Sequence, residues 1–234
     1  MLLCSRSQRR QREGPVSPLR AVRWGWILLL LLLMSATSLD VAAVRRAILR
    51  AAGRALVADD PIERADIIVV SRDADGAGAL EAADLVHRGV ATRVAIFPSF
   101  PDAVGPEFIR RGIPYEDESA RSVRQLRLLG VDTVDHIPGS VAGTEDEGPV
   151  LADWCKQQEF RSVVVVSSVA HSRRLRRVLH RSLRGLQTRV MVHTVSARFP
   201  DFDPDRWWGI RGGIRAEIQE GEKLLLDIVR HPIS

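Results

Sequence analysis

The chain has 234 residues, of which 45% are hydrophobic and 27% are charged, with a formal net charge of +5. This length and composition suit one globular domain and exclude an intrinsically disordered chain. Six arginines and one glutamate precede Trp24, so this leader carries the whole net charge and the rest of the chain is neutral. The basic character therefore bears on topology, and no nucleic-acid partner is predicted.

The first feature in chain order is a basic leader followed by an apolar segment. Residues 1–23 are predicted to be a cytoplasmic leader, and residues 24–44 a transmembrane anchor or signal segment. Trp24 to Leu39 is uncharged and contains six consecutive leucines, slightly short of the ~20 residues of a full span. A retained anchor and a signal peptide cleaved near Ala36 both stay open. Both interpretations place the domain on the extracytoplasmic, periplasmic side of the inner or plasma membrane.

Residues 45–60 form the next segment and are predicted to be an amphipathic helix or linker. Apolar positions alternate at helical spacing with arginines at Arg46, Arg50 and Arg54. Such a segment is either a stalk near the membrane or the first helix packed on the domain.

Short apolar runs alternate with helical patterns across residues 61–234. Strands are predicted at 66–70, 93–97, 133–137, 162–166 and 190–193, and helices at 77–87, 119–129, 144–158, 172–183 and 213–229. This alternation predicts an α/β domain, a Rossmann-like three-layer sandwich with a mostly parallel sheet of about five strands. Ligands of such folds bind beyond the carboxyl ends of the strands, so the residues that follow each strand are the site candidates.

Two further segments of this domain lead to specific expectations. Residues 98–118 are rich in proline and acidic residues without a clear period, which indicates a surface insertion or lid. In the last predicted helix, the spacing of Ile214, Ile218, Leu225 and Val229 predicts that this apolar face points inward.

The fourth strand leads into the strongest candidate site. Ser167, Ser168, His171, Arg173 and Arg174 follow it at the start of a helix. Free N–H groups at a helix N-terminus favour an anion, and hydroxyl, imidazole and guanidinium groups complete a phosphate or carboxylate site. The alternative is that one of the serines only caps the helix.

Candidate residues also follow the other strands. Ser71 follows the first strand, and Thr144 and Glu145 begin the helix after the third. Thr144 together with Glu147 also fits a capping box, a purely structural role. All of these are predicted to bind ligand around one crevice with His171 as the catalytic acid or base, because its ordinary pKa lies near neutral pH.

Metals and cofactors have little support in the sequence. Asp73 and Asp75 are a weak candidate cation site, and no zinc-type spacing, nucleophile elbow or Walker loop occurs. No metal is predicted and the cofactor is unknown. Cys155 is the one cysteine outside the leader, and it is expected to be a small buried residue without an intrachain disulfide.

Several short motifs together resemble the SanA/YdcF/ElyC-like envelope protein family, whose shared domain has no known function. The matching segments are Leu56–Pro61 with Ala65–Val70, Glu118–Ala120 before Gly130, Ser140–Asp146, Val166–Arg174, Trp207–Trp208, and Glu220 with Lys223. The likeness covers about residues 56–229 and adds Glu118 as a second catalytic candidate, which either orients His171 or balances the arginines. Two glycine-rich loops typical of the family, after the first and second strands, are replaced here by Ser71–Asp75 and Phe97–Phe100.

The resemblance implies a membrane-anchored protein that acts in cell-envelope or peptidoglycan-precursor biogenesis. It would bind or process a phosphorylated or nucleotide-like ligand, a small anionic partner. The alternative, favoured by the missing glycine loops, is a non-catalytic binding or regulatory module on the same fold. An S-adenosylmethionine-dependent enzyme is a third hypothesis, weakened because an extracytoplasmic domain does not meet that cofactor.

Overall fold

The computed structural model describes residues 27, 41–98, 103–139, 141–195, 199 and 202–232. The chain divides into two compact units, Met1–Ile48 and Leu49–Ser234. Among the described residues, no helix has both the length and the apolar character needed to cross a membrane. The predicted hydrophobic helix at 24–44 lies largely outside the described residues, so it stays a prediction.

Helices and strands alternate along the described chain. The strands are β1 (Ile67–Val70), β2 (Arg93–Ile96), β3 (Thr133–His136), β4 (Ser162–Ser167) and β5 (Arg189–Thr194). The helices are α1 (41–55), α2 (Asp75–His87), α3 (Val104–Arg110), α4 (Glu118–Leu128), α5 (Thr144–Gln158), α6 (Ser172–Ser182) and α7 (Arg211–Arg230). All five predicted strands are confirmed within about one residue at each end. Helix α3 lies inside the segment that was predicted to be an irregular insertion.

The strands form one fully parallel sheet in the order β3-β2-β1-β4-β5. The two sides of the sheet are covered by different helices. Ile68 and Val70, together with the side chains of the other strands on the same side of the sheet, face α2 and α4. Ile67 and Val69, together with the side chains on the opposite side, face α5 and α6. The predicted three-layer α/β architecture with a parallel sheet is therefore confirmed.

The end of α1 and the segment before α7 pack together in the second unit. The Trp207 indole Nε1 donates to the Leu49 carbonyl at 2.8 Å, and Leu56 lies in a small apolar cluster with Phe202 and Leu224. A side chain at Gly53 would clash with the Pro204 backbone, which explains the glycine there. From Leu49 onward, this helix packs on the domain.

The orientation predicted for α7 is wrong. Ile218, Leu225 and Val229 are 63%, 65% and 78% exposed, and Ile214 is also exposed. The inward face carries Glu220 and Asp227 instead. The basic face of α6 packs on α7, and the two carboxylates pair with the arginines of α6. Leaving these buried charges unpaired would cost more free energy than exposing the aliphatic stripe of α7.

Candidate functional site

The strand order places the site between β1 and β4. The sheet grows in one direction from β1 to β3 and then resumes on the other side of β1 with β4. At such a switch point the two connections leave in opposite directions and open a crevice beyond the carboxyl ends of the strands. Ser71 follows β1 and its amide donates to the Val166 carbonyl of β4 at 2.9 Å. The chains beyond both strands are therefore held side by side.

His171 lies at the centre of this region, immediately before α6, and is only 4% exposed. Its Nδ1 lies 2.9 Å from Glu220 Oε2, and its Nε2 lies 3.1 Å from Thr144 Oγ1. Arg174 Nη2 also lies 3.0 Å from Nδ1, but the ionised Glu220 carboxylate is closer and only accepts hydrogen bonds, so we assign the Nδ1 proton to the Glu220 contact. The lone pair of Nε2 is then free to accept the proton of the Thr144 hydroxyl.

Glu220 is the residue that orients His171. Arg174 Nε donates to its Oε2 at 3.0 Å, and Lys223 Nζ donates to its Oε1 at 2.8 Å. Burial alone would raise the pKa of Glu220, but the His171 hydrogen bond and these cations hold that pKa far below its ordinary value. The carboxylate thus stays charged and fixes the imidazole ring.

The pKa of His171 is raised above its ordinary value. Burial favours the neutral ring, but the Asp73 charge and the Glu220 hydrogen bond outweigh burial and the Arg174 charge. Asp73 Oδ1 lies 3.7 Å from His171 Nε2. The imidazolium is therefore stabilised on both sides of the ring, as a base that takes up a proton during a reaction requires.

Asp73 links the ends of β1 and β4. Its Oδ2 accepts from the Ser168 amide at 3.2 Å and from the Ser168 hydroxyl. The Ser167 hydroxyl oxygen lies 3.5 Å from the same Oδ2 and 3.1 Å from the Ser168 carbonyl, and its one proton is shared between these two acceptors. Asp73 Oδ1 accepts from the Ser71 hydroxyl. One carboxylate is thus surrounded by donors from both strand ends.

Glu147 is buried on the far side of Ser71, and its Oε2 lies 3.1 Å from the Ser71 hydroxyl oxygen. Burial and the nearby Asp73 charge raise the pKa of Glu147 to about 7. The single Ser71 proton is donated to Asp73, so the contact with Glu147 is satisfied when Glu147 is protonated. The capping-box interpretation is therefore wrong, because Thr144 contacts His171 and the α5 cap position is Gly143.

These side chains border a cleft of about 290 Å³. The residues that line it are Arg72, Asp73, Glu118, Gly143, Thr144, Glu147, His171, Arg174, Glu220 and Lys223. Arg72 Nη1 donates to the Val141 carbonyl at 3.0 Å, and Arg72 Nη2 lies 3.6 Å from Glu118. Glu118 is half-exposed at the rim, where it balances Arg72, and the contact that orients His171 comes from Glu220.

The structure brings most of the predicted site residues together. Ser71, Thr144, Ser167, Ser168, His171 and Arg174 lie in the cluster, with Glu118 at its rim. Neither Ser167 nor Ser168 is the cap of α6, because that position is His171.

Two predicted ligand-binding residues lie elsewhere. Arg173 points away from the cleft, and its Nη2 donates to the Val57 carbonyl at 2.6 Å. Glu145 is exposed and pairs with Arg181. Helical geometry explains both placements, since a residue next to an inward one is turned by about 100° around the axis.

Asp73, Glu147 and Glu220 were not among the predicted site residues. Glu220 lies 49 positions after His171, so no local spacing could pair the two. Asp73 was considered only as a cation ligand, although its position three residues after the end of β1 placed it near the crevice. Glu147 had a sufficient local explanation as a capping residue.

Comparison with known proteins identifies no relative of this chain. No family model matches the chain, and no curated protein or solved structure matches it significantly.

Proposed function

We propose that the protein is an enzyme that binds a small phosphorylated or nucleotide-like ligand in the switch-point cleft and moves a proton at it through His171. The observation that carries this proposal is the continuous arrangement from the Thr144 hydroxyl through the His171 ring to the Glu220 carboxylate. A hydroxyl, an imidazole and an orienting carboxylate in this order are what general-base activation of an oxygen nucleophile requires.

The chemistry follows from the two ring nitrogens. Nε2 takes the proton of a hydroxyl, either that of Thr144 or one bound at the same place, and Nδ1–H remains bonded to Glu220. The imidazolium formed keeps its Nδ1–H on Glu220, whose negative charge stabilises it. The deprotonated oxygen bonds to phosphorus, the bond from phosphorus to the leaving oxygen breaks, and the proton on Nε2 goes to that leaving oxygen. Where Thr144 is the attacking oxygen, water then hydrolyses the phosphoryl-Thr144 ester through the same proton transfers, which restores both Thr144 and His171.

The class of ligand is inferred from the groups that line the cleft. The N-termini of α5 and α6 both reach it, through Thr144 and His171, and helix N-termini favour anions. Arg72, Arg174 and Lys223 also line the cleft, where they face the carboxyl groups of Asp73, Glu118, Glu147 and Glu220. The resemblance to envelope proteins supports the same class, because precursors of the cell envelope carry phosphate groups.

The location is part of the proposal. The uncharged segment from Trp24 to Leu39 after an arginine-rich leader supports a single-pass membrane protein with an extracytoplasmic domain that acts in envelope biogenesis. Alkaline phosphatase fused after Ser234 should be active in the periplasm. An inactive fusion, together with an active cytoplasmic reporter at the same position, would reverse this topology.

A non-catalytic binding module is the second candidate, and one observation favours it. Asp73 already engages the donors of Ser71, Ser167 and Ser168. A side chain in that position limits the access of a ligand to the proton-transfer groups, which suits regulation more than turnover.

The proposal is tested by turnover of two probes, UDP-N-acetylglucosamine and p-nitrophenyl phosphate, followed by phosphorus NMR with the full chain in detergent micelles. We expect His171→Ala to lower turnover by about 100-fold or more, the usual contribution of a general base. His180→Ala is the matched control, since His180 lies on α6 but lines a different groove. Equal rates for the two variants contradict the catalytic role. Probe binding without turnover by the wild-type chain supports the binding module.

A further inference from the structure

Three serines surround the Asp73 carboxylate with hydrogen-bond donors. This set, here called the serine cradle, consists of Ser71, Ser167 and Ser168. They contribute three hydroxyl groups and the Ser168 amide, all within hydrogen-bonding reach of Asp73. Ser71 and Ser167 are fully buried, with 1% and 0% exposure. Neutral donors that converge on one point suit an anion with several oxygens, such as a phosphoryl or carboxylate group.

The cradle lies where the topology places a ligand. Ser71 follows β1, Ser167 ends β4 and Ser168 follows it, so the donors lie at the ends of the two strands that flank the switch point. His171 Nε2 lies 3.7 Å from the same carboxylate. An anion held in the cradle would therefore adjoin the base of the proposed reaction.

Asp73 reaches the cradle from a short and strained piece of backbone. It is the middle residue of a single 3₁₀ turn, Arg72–Ala74, directly followed by Asp75 at φ +43° and ψ −142°. A non-glycine residue with this φ is strained, and such strain is kept where a segment has a second arrangement or a functional constraint. The turn is thus the natural place for a movement that withdraws Asp73.

Glu147 gives a separate reason why Asp73 can be displaced. The two carboxyl groups share the Ser71 hydroxyl, and the charge of Asp73 contributes to the raised pKa of Glu147. Withdrawal of Asp73 removes that repulsion and leaves Ser71 free to donate elsewhere. The end of this repulsion offsets part of the free-energy cost of withdrawing Asp73 from the serine cradle.

We propose that the serine cradle is the subsite for one phosphoryl or carboxylate group of the ligand, and that the Asp73 carboxylate competes with this group for the same donors. Movement of the Arg72–Ala74 turn withdraws the Asp73 carboxylate and lets the ligand group take its place. Asp73 therefore sets the ligand affinity of the site. This inference rests on the proposed function for the class of ligand.

The test is the affinity of the full chain in detergent micelles for inorganic phosphate, measured by calorimetry at constant ionic strength. Asp73→Ala should bind phosphate about tenfold more tightly than wild type, the factor expected when a competing state populated to ~90% is removed. Asp73→Asn, which keeps the size but loses the charge, should gain less. Ser168→Ala added to Asp73→Ala should cancel the gain.

Asp75→Asn is the control, because it removes the same charge from an exposed neighbour and leaves the side chain almost the same size. Equal gains for Asp73→Asn and Asp75→Asn would reduce the effect to net charge and overturn the proposal. Unchanged affinity in both Asp73 variants would overturn it as well. Phosphate binding is read without turnover, so this failure and failure of the His171 test are distinguishable.

Discussion

At the residue scale, the site depends on two buried groups with shifted pKa values. The His171 pKa is raised, so its stabilisation of the fold is complete below about pH 6.5 and is lost as pH rises through the folded value. The Glu147 pKa is raised to about 7 from 4.5, so the folded protein loses stability as pH rises between these values. Both groups therefore make the domain less stable as the pH rises, Glu147 between about pH 4.5 and pH 7 and His171 above about pH 6.5.

Replacement of Glu147 by glutamine should remove its share of this dependence. The variant keeps a neutral hydrogen-bonding partner for Ser71, so above pH 7 we expect it to be more stable than wild type by on the order of 2 kcal/mol. The check is chemical denaturation between pH 5 and 8, with exposed Glu222→Gln as the control. Parallel curves for Glu147→Gln and wild type would show that Glu147 is already ionised at low pH.

The sequence predicted residue types at this scale better than their partners. Ser71, Ser167, Ser168 and His171 could be chosen because they follow strands that are evident from apolar β-branched runs. The carboxylate that holds His171 could not be chosen in the same way, since its contact depends on how α7 crosses α6. A local structural role could also hide a site residue, since the capping role expected of Glu147 already accounted for its presence.

At the scale of elements, apolar periodicity predicted that α7 is a helix but not which of its faces is buried. The aliphatic stripe predicted a helix and its length well, but the stripe faces outward. Apolar spacing identifies a face, and the partner decides which face is buried. Here the partner is α6, whose Arg177 and Arg181 both pair with buried Asp227.

Two adjacent leucines of α7 test this orientation. Leu224 is 7% exposed and packs with Leu56 and Phe202, whereas Leu225 is 65% exposed. Leu224→Ala should therefore lower the free energy of unfolding by about 2–4 kcal/mol, and Leu225→Ala by less than ~0.5 kcal/mol. Urea denaturation of the two variants provides the measurement. The reverse order of the two effects would mean that the stripe is buried after all.

At the scale of the whole molecule, the fold class followed from the alternation of strands and helices, but the strand order did not. β1, β2 and β4 are all almost fully buried, so the pattern of their side chains does not show which strand lies next to which in the sheet. The ends of the first, third and fourth strands were expected to converge. In the structure β1 and β4 are adjacent, β3 lies at the edge, and Thr144 reaches the cleft from the start of α5.

This arrangement makes the cleft a property of the complete domain. Ser71 follows β1, Ser168 follows β4, His171 precedes α6, and Glu220 lies on α7, the last described helix. The residues that act together are thus distant in sequence, and the parallel sheet holds their backbones in fixed positions.

The most direct test of the central claim is complementation by the full chain in a strain of the source organism that lacks its own copy. The account predicts that His171→Ala fails to restore the wild-type phenotype at unchanged protein level, whereas His180→Ala restores it. Arg174→Lys should restore it poorly, because one ammonium group does not replace a guanidinium that contacts Glu220 through Nε and His171 through Nη2. Full complementation by His171→Ala would contradict the claim that proton transfer at His171 is the function of this cleft.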